Sequence, residues 1–165
     1  MIAVLADTHM PKGGRTLPER CVELLREAEA TLHAGDFFGL DTLREIEALC
    51  PGPVHAVRGN VDEAVLRRLL PETIEVGLAG ARVAMVHDAG PSKGRLRRMR
   101  RRFPAADAVV FGHSHLPLHE EEDGFQIFNP GSPTERRRSP HHSIGLLRVE
   151  SGHPVFEHVW LRGEG

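Results

Sequence analysis

The chain has 165 residues, of which 40% are hydrophobic and 27% are charged. This balance is that of an ordinary globular protein and excludes a disordered or fibrous one, so we expect a single domain spanning residues 1–165. The formal net charge of −2 gives no overall attraction to nucleic acid or to an acidic membrane, and either contact would need a local patch.

The beginning of the chain shows no basic leader, and its apolar run over residues 2–6 is too short for a signal-peptide core or a membrane span. The two cysteines, Cys21 and Cys50, do not form a C-x-x-C motif, which speaks against a disulfide framework and against a thiolate zinc site. We therefore expect a cytoplasmic protein without a membrane partner.

The first half of the chain alternates short apolar runs with amphipathic segments, a pattern typical of a parallel sheet with helices on its faces. The apolar runs predict strands over residues 2–6, 31–34 and 54–57, each followed by a helix. Thr16 and Glu19 have the spacing of a capping box for the first helix, and Asp41 is a suitable cap for the second.

The second half predicts a hairpin over residues 72–86, a strongly basic helix over residues 93–103 and a strand over residues 108–111. The remainder alternates as a β-meander of four strands between residues 117 and 161. Two sheets packed face to face with helices outside would bury all of these strands. The predicted fold is therefore an α/β protein, a four-layer α/β/β/α sandwich with two mixed sheets.

Residues of metal-binding types follow each predicted inner strand. They are Asp7, His9, Asp36, Asn60, His87, His113 and His115. Ligands bind outside the carboxyl ends of the strands in open α/β sheets, so these positions are expected to converge on one crevice. Any one of them alone has a plainer interpretation as a turn residue, a helix cap or a structural histidine. We interpret two other histidines, His33 and His55, as hydrogen-bonded core residues.

Seven side chains are too many for a single ion, because a protein zinc site normally has about four ligands. The number suits two ions that share a carboxylate, and Asp36 is the natural bridge. Imidazole nitrogen with carboxylate or amide oxygen fits Mn, Fe, Zn or Ni. A metal pair roughly 3.5 to 4 Å apart can activate water and hold the oxygens of an in-line displacement at phosphorus, which favours phosphate ester hydrolysis.

The motifs around these residues form a series in a fixed order: D-T-H at 7–9, H-A-G-D at 33–36, V-R-G-N-V-D at 57–62, V-H-D at 86–88, F-G-H-S-H at 111–115 and N-P-G-S at 129–132. The series resembles that of the calcineurin-like metallophosphoesterases. Its spacing is similar to the small bacterial and archaeal phosphodiesterase branch of that superfamily, and the resemblance covers nearly the whole chain.

The resemblance implies a hydrolase in which a water or hydroxide activated by a dinuclear centre attacks the phosphorus. It implies that Asp7, His9, Asp36 and His115 bind the first ion, and that Asp36, Asn60, His87 and His113 bind the second. It also assigns catalytic roles to Asp36, Asn60, His87 and Asp62. Among Mn, Ni, Fe and Zn, manganese is favoured.

Two departures from the superfamily pattern stand out. Val61 occupies the position where many superfamily phosphatases have a histidine that acts as an acid, so fast phosphomonoester hydrolysis is disfavoured and good leaving groups should react best. Asp88 stands where the family usually has glycine, and we favour a turn-capping role for it. Asp62 is either a helix cap or a partner of the site.

The expected substrate is a small phosphodiester or a nucleotide, and the sequence leaves homo-oligomerisation open. The arginine run over residues 95–102 and the basic loop over residues 136–138 could grip phosphates of a nucleic acid, although such a run is more often a solvated helix face. The rival hypothesis is a non-catalytic interaction scaffold, because a retromer scaffold subunit has a similar fold.

Overall fold

The computed structural model describes residues 1–162 and contains ten strands and four α-helices within that range. The strands are β1 (Ile2–Leu5), β2 (Ala30–His33), β3 (Val54–Ala56), β4 (Thr73–Leu78), β5 (Ala81–Val86), β6 (Ala108–Val110), β7 (Leu118–Glu122), β8 (Phe125–Asn129), β9 (His142–Glu150) and β10 (His153–Leu161). The helices are α1 (Glu19–Glu27), α2 (Leu40–Leu49), α3 (Ala64–Leu69) and α4 (Arg95–Arg102).

The strands form two five-stranded sheets, with the orders β10-β9-β1-β2-β3 and β4-β5-β6-β8-β7. In the first sheet, β1 pairs in parallel with β2 and antiparallel with β9. In the second sheet, β6 pairs in parallel with both β5 and β8, while β4 and β7 are antiparallel edges. Both sheets are mixed, as the sequence predicts.

Three apolar clusters show how the layers pack. Val4 and Leu32 of the first sheet and Val83 and Val110 of the second belong to one buried cluster, which joins the sheets face to face. A second cluster packs α1 and α2 against the first sheet, and a third packs α4 against the second. Because each buried aliphatic side chain contributes about 1.5 to 3 kcal/mol, these clusters hold together the predicted α/β/β/α sandwich.

Two local predictions are wrong. The α1 helix begins at Glu19 after Pro18 and has no side-chain cap, so Thr16 lies too far upstream to cap it. Gly39 is the N-cap residue of α2, and Asp41 lies in its first turn. A carboxylate at that position still interacts favourably with the positive end of the helix dipole.

The predicted β-meander is also wrong, because the last four strands divide between the two sheets. β7 and β8 form a hairpin in the second sheet, and β9 and β10 form a hairpin in the first. The chain therefore crosses between the sheets over residues 130–141, which brings this connection to the carboxyl end of β1. Within residues 1–162, no helix has the length and apolar character needed to cross a lipid bilayer.

Candidate metal centre

All seven candidate ligands lie just beyond the carboxyl ends of strands, and hydrogen bonds join the loops that carry them. The backbone N–H of Asp7 donates to the Gly35 carbonyl at 3.0 Å, and that of His9 donates to the Asp36 carbonyl at 3.0 Å. These bonds align the loops after β1 and β2. The fold thus brings together residues that are up to 108 positions apart, since Asp7 and His115 fall in the same cluster.

Five of the seven candidate ligands have a backbone in the left-handed region. Their φ angles are 57° at Asp7, 42° at His9, 61° at Asp36, 72° at His113 and 61° at His115. Holding a residue other than glycine in a sparsely populated backbone conformation lowers folding stability by of order 1 to 3 kcal/mol, and such strain concentrates at functional sites. The strain indicates that these loops are shaped for ligand placement.

Cluster one consists of Asp7, His9 and His115, and all three residues are buried. The Nε2 atoms of His9 and His115 lie 3.8 and 3.6 Å from Asp7 Oδ1. Ligand atoms bonded to one ion at about 2.0 to 2.2 Å lie roughly 3.0 to 3.5 Å from one another. The spacing in cluster one is therefore close to that of ligands around a common ion.

Cluster two consists of Asp36, His87 and His113, and the amide of Asn60 lies between its imidazoles. Asn60 Oδ1 is 2.9 Å from His87 Nε2 and 3.1 Å from His113 Nδ1. Asp36 and His87 are buried, whereas the His113 side chain is 45% exposed. Cluster two is therefore the side of the site that opens to solvent.

The Asp36 carboxylate lies between the two clusters. Its Oδ2 atom is 3.6 Å from His9 Nε2 and 3.1 Å from His87 Nε2, while Oδ1 accepts a hydrogen bond from the Val61 N–H at 2.9 Å. A Cβ atom at Gly59 would lie 2.0 Å from Asp36 Oδ1. Glycine is thus required at position 59 for this close approach of the two loops.

Two imidazole nitrogens of cluster one indicate that the residues fit a divalent cation. The Nε2 atoms of His9 and His115 are buried and have no hydrogen-bond partner, although buried polar atoms nearly always have one. The His115 Nδ1–H donates to the Glu135 carbonyl, which leaves the Nε2 lone pair directed towards Asp7. Nitrogen and oxygen donors without thiolate suit a transition metal such as Mn, Fe, Ni or Zn.

The comparison with known proteins agrees with this geometry. A family model for the calcineurin-like phosphoesterase superfamily domain matches residues 1–152. A probable metallophosphoesterase of Methanothermobacter thermautotrophicus is 32% identical over 152 residues, which are 91% of this chain and 86% of that relative. The chain belongs to the calcineurin-like phosphoesterase superfamily. Membership supports a metal-dependent hydrolase of phosphate esters.

Solved structures share the fold of this calcineurin-like protein. Vps29 of Chaetomium thermophilum superposes with a TM-score of 0.79 at 19% identity, covering 96% of each chain. An archaeal phosphodiesterase superposes with a TM-score of 0.74 at 21% identity, covering 97% of this chain and 99% of that one. At these identities the likeness shows the fold alone, and the fold is shared by proteins of different kinds.

Electrostatics couple the two halves of this calcineurin-like site. Burial lowers the pKa of His87, but the carboxylates of Asp36 and Asp7 outweigh it and raise the pKa to about 9. Burial raises the pKa of Asp36, yet the hydrogen bond with His87 brings that pKa below its usual value. At His115 burial dominates and lowers the pKa. A cation that binds cluster two must therefore displace a proton from His87.

Asp62 positions two of the loops that carry candidate ligands. Its Oδ2 accepts the N–H groups of Asp36 and Gly59 at 3.2 and 2.7 Å, and its Oδ1 accepts the N–H of Phe38 at 2.9 Å. The helix-cap alternative is wrong, because Glu63 is the N-cap residue of α3. With its oxygens occupied by backbone donors, Asp62 has the contacts of a positioning residue, and nothing in them supports the catalytic role predicted for it.

The segment Ser132 to Glu135, which sequence reasoning missed beyond its first residue, supports the loop after β1. Ser132 Oγ donates to the Asp7 carbonyl at 2.7 Å, and Thr134 Oγ1 donates to the Thr8 carbonyl at 2.6 Å. The N-P-G-S motif that ends at Ser132 was the available signal. Asn129, the first residue of that motif, supports the loop after β6 by donating from Nδ2 to the Gly112 carbonyl at 3.2 Å.

Two arginines of α4 make hydrogen bonds to the loop that precedes the helix. Arg95 donates from Nε and Nη2 to the Gly90 carbonyl at 3.1 and 3.0 Å, and Arg98 donates from Nη2 to the Ala89 carbonyl at 2.7 Å. The predicted turn at Asp88 is confirmed, since its Oδ1 accepts the Gly90 N–H at 2.8 Å. These bonds hold the loop that follows His87.

His33 is a buried structural histidine, as predicted. Its Nδ1 accepts the Gly35 N–H at 3.1 Å, which leaves Nε2–H to donate to Thr8 Oγ1 at 3.2 Å. Burial is the main reason that the pKa of His33 is lowered to about 3. Protonation at Nδ1 would break the bond to Gly35, so the neutral ring is the form that the fold requires.

We predict that His33 makes the protein sensitive to acid. Its folded pKa lies below the unfolded value of about 6.5, so the unfolded state binds the extra proton and stability falls as the pH drops from 6.5 towards 3, by at most about 1.4 kcal/mol per pH unit. Urea unfolding of the metal-free protein at several pH values measures this slope. His33→Leu should have a lower free energy of unfolding near pH 7, but this free energy should fall less steeply with decreasing pH below 6.5. An unchanged slope would contradict the conclusion that His33 causes the sensitivity to acid.

Proposed function

We propose that the protein is a phosphodiesterase whose clusters one and two hold a pair of divalent metal ions. The observation that carries the proposal is the position of the Asp36 carboxylate. Its Oδ2 lies 3.6 Å from His9 Nε2 of cluster one and 3.1 Å from His87 Nε2 of cluster two. One carboxylate oxygen between two sets of imidazoles is the arrangement expected of a bridging ligand in a two-metal hydrolase.

The proposed ligands of the first ion are Asp7, His9, Asp36 and His115, and those of the second are Asp36, Asn60, His87 and His113. When bound, such a pair lowers the pKa of a coordinated water and neutralises charge that develops on the phosphoryl oxygens. The chain holds and orients this centre: Val61 N–H fixes the bridging carboxylate at 2.9 Å, and the Ala34 carbonyl accepts His87 Nδ1–H at 2.7 Å. Manganese is our favoured metal.

The substrate we propose is a small phosphodiester or nucleotide. Arg137 is exposed and lies at the edge of cluster two, where its Nη1 is 3.4 Å from the His113 carbonyl. A guanidinium in that position is suited to a phosphoryl oxygen. Val61, next to Asn60, is 37% exposed. Its side chain has no proton to donate, so it cannot protonate the leaving group.

Two further proposals concern the chain as a whole. We propose one calcineurin-like domain over residues 1–165, which is supported by the family match over residues 1–152. We also propose a cytoplasmic location, in keeping with a sequence of 165 residues that contains only two cysteines. Disulfides are uncommon in reducing compartments.

A protein-interaction scaffold is the second candidate, because the fold is similar to that of Vps29. The described site argues for hydrolysis instead. Five left-handed backbone conformations around converging ligand types each cost stability, which favours a site that binds metal. Elemental analysis separates the candidates: about two metal equivalents with turnover support the enzyme, and no metal with no turnover supports the scaffold.

We predict that Asp36→Asn and His113→Ala lower the metal-dependent hydrolysis of bis(p-nitrophenyl) phosphate by on the order of 100-fold or more, because each removes a proposed ligand. Initial rates in Mn²⁺ buffer measure the effect. Asp41→Asn, which removes an exposed carboxylate on α2, serves as the control and should retain the wild-type rate. Wild-type rates in both site variants would refute the assigned centre.

We predict that hydrolysis depends steeply on the leaving group, because Val61 cannot protonate it. Rates for a series of aryl phosphodiesters should fall as the pKa of the leaving phenol rises. Val61→His keeps the backbone N–H that contacts Asp36 and adds a donor, so its rates should fall less steeply along the same series. A shallow dependence in the wild type would show that another group supplies the proton.

A further inference from the structure

The carboxyl group of Glu135 lies between the ring of His9 and the guanidinium of Arg15. Glu135 Oε2 is 3.7 Å from His9 Nδ1, and Oε1 is 3.3 Å from Arg15 Nη2. The Oε2 atom is buried and has no hydrogen-bond partner. The main-chain carbonyl of the same residue accepts His115 Nδ1–H. Glu135 therefore contacts the outer nitrogen of both imidazoles in cluster one.

A negative charge behind a metal-binding imidazole affects the nitrogen that faces the metal. A carboxylate beside Nδ1, the ring nitrogen that faces away from the metal, favours the Nδ1–H tautomer and makes the Nε2 lone pair a stronger ligand for the metal. Removal of such a partner typically lowers metal affinity 10- to 100-fold. The 3.7 Å separation between Glu135 and His9 is an electrostatic contact rather than a hydrogen bond. The contact is one between a carboxylate and the N–H dipole of a neutral imidazole, and it is shielded from water because the Glu135 Oε2 atom is buried.

The segment that carries Glu135 is fixed on both sides of cluster one. The Glu135 N–H donates to Ser132 Oγ at 2.8 Å, and Thr134 Oγ1 donates to the Thr8 carbonyl at 2.6 Å. The carboxylate is thus presented to His9 by a segment that is itself bonded to the loop of the candidate ligands. Little conformational freedom is left to lose when a cation binds.

Within residues 1–162, no buried carboxylate lies behind the imidazoles of cluster two. His87 Nδ1 contacts the neutral Ala34 carbonyl at 2.7 Å. The His113 side chain is 45% exposed, and the Asp88 carboxylate that lies 4.0 Å from its Nε2 belongs to a side chain that is 60% exposed. Solvent weakens such a contact. The two clusters therefore differ in the charge that supports them.

We propose that Glu135 is a positioning residue that makes cluster one the tighter of two metal sites, so that the first ion binds there and the second ion binds at cluster two. This inference rests on the proposed two-metal centre. It assigns the order of metal binding to a residue outside the ligand set.

The test is a calorimetric titration of the metal-free 165-residue chain with Mn²⁺. The wild type should bind two ions in two steps, and Glu135→Ala should weaken the first step by about 10- to 100-fold while leaving the second unchanged. Glu135→Gln should have a smaller effect, since its amide oxygen can still face His9 Nδ1–H but carries no charge. Thermal unfolding without metal checks that each variant folds, and Glu135→Gln alone carries the test if Glu135→Ala does not fold.

Arg15→Gln is the matched control, because it removes the other partner of Glu135 and leaves the carboxylate beside His9. Arg15→Gln should leave the Mn²⁺ affinity of the first step unchanged. If it lowers that affinity as much as Glu135→Ala does, Glu135 acts by anchoring Arg15, and the inference is overturned. Equal affinities at both sites, or an unchanged isotherm in Glu135→Ala and Glu135→Gln, would also overturn it. Absence of Mn²⁺ binding by the wild type would instead refute the two-metal centre itself.

Discussion

The structure depends on one electrostatic constraint: buried carboxylates and imidazole lone pairs converge within a few ångströms of Asp36. Such a group is costly to bury unless its negative charge is compensated, by the proton on His87 in the metal-free chain or by a bound cation. The surrounding chain contributes what is needed to hold it, including a glycine at 59 that lets two loops touch, the Asp62 carboxylate that accepts three backbone N–H groups, and left-handed conformations at five candidate ligands. The left-handed conformations lower the stability of the fold but fix the positions of the candidate ligands, which is typical of sites that act on a ligand.

Much of this architecture follows from the sequence, because apolar runs such as Ile2–Leu5 are buried on both faces and can only be inner strands. The positions directly after those runs then had to meet at one edge of the sheets. Helix starts could not be predicted as well: α1 has no side-chain cap, and Gly39 rather than Asp41 caps α2. Local capping patterns are weak signals when tertiary packing fixes where a helix begins.

Long-range placement accounts for what the sequence could not predict. The turn motif at Asn129 indicates a chain reversal but not that the connection to β9 crosses to the other sheet, and only this crossing brings Thr134 and Glu135 to the loop of Asp7 and His9. The role of Asp62 was undecidable for the same reason, since its partners Asp36 and Phe38 lie 26 and 24 residues away. Side chains that position ligands carry no motif of their own.

The most direct test of the two-metal centre is anomalous diffraction from crystals grown with Mn²⁺. The account predicts two anomalous peaks roughly 3.5 to 4 Å apart, one bounded by Asp7, His9 and His115 and the other by Asn60, His87 and His113, with the Asp36 carboxylate between them. A single peak, or peaks remote from Asp36, would contradict it.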